Sequence, residues 1–336
     1  MSAVPLSKEA VLKKSIGVSL GSLAILGLRD IKFFARPTTV YLMVSRHCVF
    51  NCAYCAQARE SKAHTENLSR ITWPEETFER VLEGLSKYDD YRRICFQVVN
   101  GENYFEDTLM FLRAIKEKGI KKPISISIRE SDTARIRLLF SEGAERISLP
   151  VDVVSKKYFS RYRGGIFEKS FESIISAGRA FKGRITTHII VGLDEEDIEL
   201  YESLKKFFKE GILVSLFAFT PIKGTPLQDH PKVPIHRYRK FQFVRSLIAK
   251  NIDFEGIFEK GVLTGLKLER TKDEITNLLK DPANFITQGC PGCNRPFYNE
   301  SPLGPIYNFP VIPKDTDRIV REFVSLISNG NIFFKV

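Results

Sequence analysis

The feature that most constrains this chain is a regular alternation that begins after residue 38. Short runs rich in β-branched and aromatic residues fall at 39–45, 93–99, 123–128, 146–152, 185–193 and 213–222. Between them lie helical patterns at 74–88, 104–119, 132–143, 167–182 and 195–211, and another at 235–250 follows the sixth run. Pro74-Glu75-Glu76 opens the first helical pattern, and Gly119, Gly143 and Gly211 close three others, the usual placing of proline at helix starts and glycine at helix ends. Strands alternating with helices predict a parallel α/β sheet, and 336 residues suffice for a TIM-type (βα) barrel, either full or a six-strand partial one. Beyond it, 253–263 reads as a seventh strand and 272–281 as a further helix. The implied organisation is an N-terminal helical segment (1–38, with an amphipathic helix over 15–28), a barrel core (39–250) and a C-terminal region (251–336). Hydrophobic residues make up 43% of the chain, enough to fill such a core.

Cys48, Cys52 and Cys55 follow the first strand run with the spacing C-x3-C-x2-C. Three thiolates on one tight loop can hold three irons of a [4Fe–4S] cube and leave the fourth iron without a protein ligand. A zinc loop is the alternative, although zinc sites usually pair a C-x2-4-C with a second ligand pair. The run resembles the cluster motif of the radical S-adenosylmethionine (SAM) superfamily. The resemblance implies that SAM chelates the open iron, and that an electron from the cluster gives a 5′-deoxyadenosyl radical able to take hydrogen from an unactivated carbon. It also implies that Tyr54 lies beside the adenine and that Gly101-Glu102, after the second strand, receives the methionine amino group. Barrel chemistry sits at the carboxyl ends of strands. Asp152 ends the fourth strand, placed to accept from the ribose hydroxyls, and Glu130 closes the third. The bland reading of each acid is a helix N-cap or a first-turn residue.

The other cysteines are Cys95, within the second strand, and Cys290 and Cys293, in the knuckle Gly289-Cys290-Pro291-Gly292-Cys293. A knuckle with one distant thiol suits a second iron–sulfur cluster better than four-coordinate zinc, with Ser301 a candidate fourth ligand. A small buried core residue is the plain alternative for Cys95. From about residue 40 to 230 the chain resembles biotin synthase. The residues that carry this are the cluster loop, Arg93-Ile94-Cys95-Phe96, the stretch from Gly143 to Asp152, Ile190-Val191-Gly192-Leu193 and Lys223-Gly224-Thr225-Pro226-Leu227. That family's other auxiliary cysteines are missing, since the third strand reads Ser125-Ile126-Ser127-Ile128 and the fifth Thr186-Thr187-His188. Its late-barrel arginine ligand has no clear counterpart, and around Lys169-Ser170 there is no arginine for a further SAM contact.

A barrel of this kind that keeps Cys95 and draws two thiolates from a tail resembles the archaeal-type, two-protein lipoyl synthase, and its second subunit in particular. The resemblance implies an auxiliary [4Fe–4S] cluster that donates sulfur, with both clusters at one barrel mouth. The substrate would be an octanoyl chain on a lysine of a lipoyl carrier domain or glycine-cleavage carrier protein. A companion lipoyl synthase subunit and a low-potential electron donor are the further partners. Radical chemistry needs no general base, so His47 and His188 read as structural.

The net charge of +11 and pI near 9.3 point to an anionic partner. An acidic carrier fits, whereas nucleic acid is disfavoured: no RNA-binding domain is appended, and Arg237-Tyr238-Arg239-Lys240 reads as the solvated face of a helix. The apolar stretch 15–28 is too short to span a bilayer, so no membrane role is expected. Six cysteines without a secretory signal suggest metal ligation in a reducing cytoplasm. Two competing readings are another radical-SAM activity, biotin-synthase-like or tRNA-thiolating, and a zinc-stabilised binding module.

Overall fold

The structure, a computed structural model, describes residues 8–298, 300, 304–312, 318, 320–322 and 333–335. The chain enters through α1 (Lys8–Leu12), β1 (Ser15–Val18) and α2 (Leu20–Ile25). β2 (Thr39–Val44) leads into the cysteine loop, which is followed by a small hairpin of β3 (Asn67–Leu68) and β4 (Ile71–Thr72), and by β5 (Glu75–Thr77). Then come α3 (Phe78–Lys87), β6 (Arg93–Val98), α4 (Tyr104–Glu117), β7 (Ile124–Ser127), α5 (Thr133–Ser141) and β8 (Ala144–Ser148). The alternation continues with α6 (Phe159–Tyr162), α7 (Phe167–Ala180), β9 (Ile185–Val191), α8 (Asp197–Lys209), β10 (Leu213–Ala218) and α9 (Ile235–Ala249). β11 (Glu255–Glu259), β12 (Val262–Lys267), α10 (Lys272–Lys280), a short 3-10 helix (Pro282–Asn284) and β13 (Phe333–Lys335) complete the described elements.

One sheet organises the molecule, in the order β10-β9-β8-β7-β6-β2-β1-β5. Its six strands from β2 to β10 are parallel and lie in chain order, which is the six-strand partial barrel. At the β2 edge, β1 runs antiparallel between β2 and β5. The expected amphipathic helix over 15–28 is therefore mostly wrong. Ser15–Val18 is a strand with three buried residues, and only Leu20–Ile25 is helical, capped by Ser19 accepting from the Ser22 amide. Likewise Pro74-Glu75-Glu76 does not open a helix: Glu75–Thr77 pairs with β1, and the helix begins at Phe78. The expected seventh strand at 253–263 is a hairpin instead. β11 pairs only with β12, which pairs with β13 in a separate sheet, because the turn at Lys260-Gly261 reverses the chain before it can join the barrel.

Strand alternation sorts the side chains into two cores. Val40, Leu42, Val44, Ile94, Phe96, Ile126 and Ile147 point outward and pack under the helices. Each large apolar side chain buried there stabilises the fold by about 1.5–3 kcal/mol. Tyr41, Met43 and Val99 face the lumen with Cys95, where Trp73 joins them. Cα pairing aligns Tyr41 with Cys95 and Cys95 with Ser125 in one layer, and Met43, Gln97 and Ser127 in the layer above.

The basic run in α9 is not a solvated face. Arg239 and Lys240 are buried, and Arg237 and Lys240 share Asp197, at 2.8 and 2.5 Å. Asp197 also accepts from the Leu263 amide at 3.0 Å, so this network ties α8 and α9 to β12. Among the described residues no helix is long and apolar enough to cross a membrane.

Candidate active site

Backbone geometry at the end of β2 makes the cysteine loop. Ser45 and His47 adopt positive φ (62° and 54°), which turns the chain away from the sheet. The Cys48 amide donates to Gln57 O at 2.9 Å and the Arg59 amide to Phe50 O at 2.9 Å, closing a compact turn around the three thiols. Gln57 Nε2 holds the next segment through the carbonyls of Thr65 and Asn67. A Cβ on Gly101 would stand 2.1 Å from Arg46 O, so this glycine is required for the β6 turn to pass beneath the loop. It does not reach the cavity described next.

Cys48, Cys52 and Cys55 border a cavity of about 220 Å³ above the carboxyl ends of the parallel strands. Tyr54, Asp152 and Arg163 line it as well. Asp152, at φ 57°, projects from the end of the fourth parallel strand and accepts from Tyr54 Oη at 2.8 Å. Arg163 Nε lies 3.3 Å from the same oxygen and donates to Val151 O at 3.1 Å. Burial opposes the charge of Arg163, but Tyr54, Asp152 and Cys52 face it and keep it protonated. Burial, then Asp152, pushes the Tyr54 hydroxyl well above its ordinary value, so it remains a donor. Burial and the neighbouring Cys52 push the Cys55 thiol up to about 12, and a metal must therefore displace its proton to bind there.

Two other predicted acids stand away from this cavity. Glu102 is solvent-exposed, and only its carbonyl is engaged near the loop, by Ser45 Oγ at 3.3 Å. Glu130 turns back on its own chain, accepting from the Ser131 and Asp132 amides at 2.8 and 3.0 Å and pairing with Arg135. Glu130 precedes the Asp132 N-cap of α5, so it is neither an N-cap nor a first-turn acid. Sequence reasoning missed Asn100, Arg129 and Arg163, all of which line the cavity. No arginine lies near Lys169-Ser170; Arg163, six positions earlier, lines the cavity. Only its position after the fourth strand could have marked it.

The second set of thiols converges, but not at the mouth. Cys95 lies one layer below Gln97, whose Nε2 donates to its Sγ at 3.1 Å. Ser125 Oγ reaches Cys290 Sγ at 3.3 Å, and Tyr41 Oη reaches Cys293 Sγ at 3.1 Å. The tail is fastened at the amino ends of the strands, where Thr38 donates to Asn294 Oδ1 at 2.9 Å and Arg93 to Pro291 O at 3.2 Å. The two thiol sets therefore lie toward opposite ends of the sheet, which corrects the expectation of one shared mouth. Tyr298 lines the cavity between them, its hydroxyl pushed up by burial and facing both Cys95 and Cys55. Ser301 lies outside the described residues.

His188 faces the lumen, against Phe217 at 4.9 Å and 3.0 Å from Ser148 Oγ. Burial and Arg295 push it down to about 3, so it is neutral at working pH and unsuited to act as a base. Arg295, also unforeseen, lies 3.9 Å over the Phe217 ring.

All-thiol donor sets of this kind suit iron–sulfur clusters. Among the described residues no three His, Cys, Asp or Glu side chains close on a single ion, and a cube takes its thiolates at wider spacing than one ion does.

A parallel (βα) sheet with a three-cysteine loop at its carboxyl edge defines the class, and comparison agrees. The family model of the radical SAM superfamily matches residues 42–208, and the chain is a radical SAM protein. The family implies a [4Fe–4S] cluster and SAM at the loop. Within the class it is biotin-synthase-like. Biotin synthase of Anaplasma marginale (strain Florida) is 24% identical over 211 residues, 61% of this chain and 62% of that protein. Biotin synthase of Chlamydia abortus (strain DSM 27085 / S26/3) is 24% identical over 226 residues, 62% of this chain and 61% of that protein. The matched stretch thus spans less than two thirds of those relatives.

Two solved structures share the fold. Methylornithine synthase superposes with a TM-score of 0.51 at 16% identity, over 99% of this chain and 91% of that one. The FeFe-hydrogenase maturase HydG from Carboxydothermus hydrogenoformans gives 0.51 at 17%, over 89% and 67%.

Proposed function

We propose that this radical SAM enzyme inserts sulfur into the octanoyl chain of a lipoyl carrier domain, as one component of a two-protein lipoyl synthase. The observation that carries the reading is the meeting of Cys95, Cys290 and Cys293 beneath the cavity whose upper wall holds Cys48, Cys52 and Cys55. When bound, a cluster with SAM at the loop supplies a carbon-centred radical, and a cluster at the lower set supplies sulfur.

The chain's own residues provide the rest. Asp152 and Tyr54 orient a ribose at the upper wall. Phe217, Phe219, Ile190 and Ile222 give an acyl chain an apolar path. Tyr298 lies where that chain would pass from one thiol set toward the other. His188 in the cavity wall stays neutral and takes no part as an acid. The net charge of +11 favours an acidic carrier, with a companion subunit and a low-potential donor as partners.

The test is mass spectrometry of an octanoyl-lysine peptide after incubation with SAM and reductant, with and without a companion synthase. Thiolated octanoyl is the expected product. The 24% identity to biotin synthases favours a second reading, and conversion of dethiobiotin into biotin in a parallel incubation, with no thiolated peptide in the first, would establish it.

A further inference from the structure

Cys52 differs from the other two loop cysteines. Its Sγ lies 3.6 Å from Arg163 Nη1 and 3.7 Å from Arg129 Nη1. Among the described residues, Cys48 and Cys55 have no such cationic donor at sulfur.

The two arginines are not equivalent. The charge of Arg163 is matched by Asp152 at 3.3 Å. Arg129 has no carboxylate partner among the described residues. Its adjacent acid, Glu130, is committed to Arg135 and to the turn that starts α5. Yet Arg129 is firmly placed: Nη1 donates to Arg163 O at 3.1 Å, Nη2 to Gly164 O at 3.0 Å, and the guanidinium lies 3.7 Å over the Phe50 ring. A cation fixed at a half-buried site without a counter-charge is costly unless an anion joins it. The sulfur it faces belongs to the loop.

We infer that Arg129 tunes the loop's iron–sulfur site: through its N–H···S contact to Cys52, its fixed positive charge makes one-electron reduction of a cluster held there easier. Reduction adds negative charge beside an immobile cation, and hydrogen bonds to cluster sulfurs together with local charge set such potentials. This rests on the loop holding a cluster. Arg129 acts through Cys52 and is therefore a positioning residue.

The experiment is a redox titration of the reconstituted full chain followed by electron paramagnetic resonance, comparing wild type with Arg129→Gln and Arg129→Lys. Equal iron content, a more negative potential for Arg129→Gln and a near wild-type potential for Arg129→Lys are expected. SAM affinity is measured by equilibrium dialysis on the same protein, so that a loss of ligand binding can be told from a change of potential. A wild-type potential in Arg129→Gln overturns the inference, and if SAM binding falls about tenfold at the same time, Arg129 serves the ligand instead. Should Arg129→Gln fail to assemble, wild type labelled with 15N-arginine decides: pulsed resonance should detect guanidinium nitrogen coupled to the cluster, a coupling reduced in Arg129→Lys, and its absence refutes the contact. A wild type that assembles no loop cluster fails at iron analysis, which separates loss of the loop assignment from loss of the tuning role.

Discussion

Asp152→Asn probes the upper site with little disturbance to the fold. Asparagine has the same shape and tolerates the left-handed φ of 57° found here. Tyr54 keeps an acceptor at its present 2.8 Å, and Arg163 keeps the carbonyls of Pro150 and Val151 at 2.6 and 3.1 Å. What disappears is the negative charge offered to a ligand hydroxyl and to Arg163 at 3.3 Å, so stability in chemical denaturation is measured alongside. A hydrogen bond to a charged group contributes about 1.5–3 kcal/mol and a neutral one about 0.5–1.5, so each bond loses about 1 kcal/mol. With one or two ribose hydroxyls on the carboxylate, SAM binding should weaken by about 1–2 kcal/mol, roughly 5- to 30-fold. Equilibrium dialysis with SAM, and with free methionine as a ribose-free control, measures this on protein of checked iron content. Methionine should lose nothing. Unchanged SAM affinity, or an equal loss for methionine, would refute the ribose assignment and leave Asp152 as a strand-end acid held by Tyr54.

Replacing Cys290 and Cys293 together by Ala should leave the fold intact, because Thr38 and Arg93 fasten the tail through Asn294 and Pro291. Iron should fall by half and 5′-deoxyadenosine should still form without thiolated product; if the double variant still thiolates an octanoyl-lysine peptide, the lower set is not the sulfur source. Asp197→Asn removes the charge shared by Arg237 and Lys240 and should cost about 3–5 kcal/mol in chemical denaturation, whereas a loss below about 1 kcal/mol would mean the network is dispensable. Burial raises the Asp197 carboxyl, but Lys240 and then Arg237 outweigh it and hold the carboxyl below the usual range; its stabilisation is therefore complete above the unfolded value and lost as pH falls through the lowered folded one. His188, pushed down to about 3, favours the folded state fully above about 6.5 and loses that contribution between there and 3, so its ring resonance should not titrate near neutrality, and an inflection near 6.5 would contradict its burial.

The sequence made the barrel readable because buried parallel strands and amphipathic helices carry distinct periods, and the six runs it marked match the six parallel strands. The loop cysteines were readable from their spacing, and Asp152 from its place at a strand end. Other features depend on contacts between distant segments. Ser15–Val18 becomes a strand only because β2 and β5 flank it. The α9 basic run looks solvated until Asp197, from another helix, is set against it. Arg129 and Arg163 carry no local signal, since their role comes from pointing at Cys52 across 77 and 111 residues. Glu130 shows the converse: a strand-end acid that local amides capture before it can reach the cavity.

The tail that closes the lower end of the sheet also sets an order of assembly. Tyr41 meets Cys293 across 252 residues, and Thr38 meets Asn294 across 256. Synthesis runs from the amino end, so all six parallel strands leave the ribosome before either tail cysteine does, and domains generally fold in that order. Cys95 therefore waits in a lumen still open from below, and the lower thiol set is completed only after all six parallel strands have been made. Between those moments the nascent barrel holds its upper three cysteines on one loop and its lower one still waiting, so the two thiol sets become complete at different times.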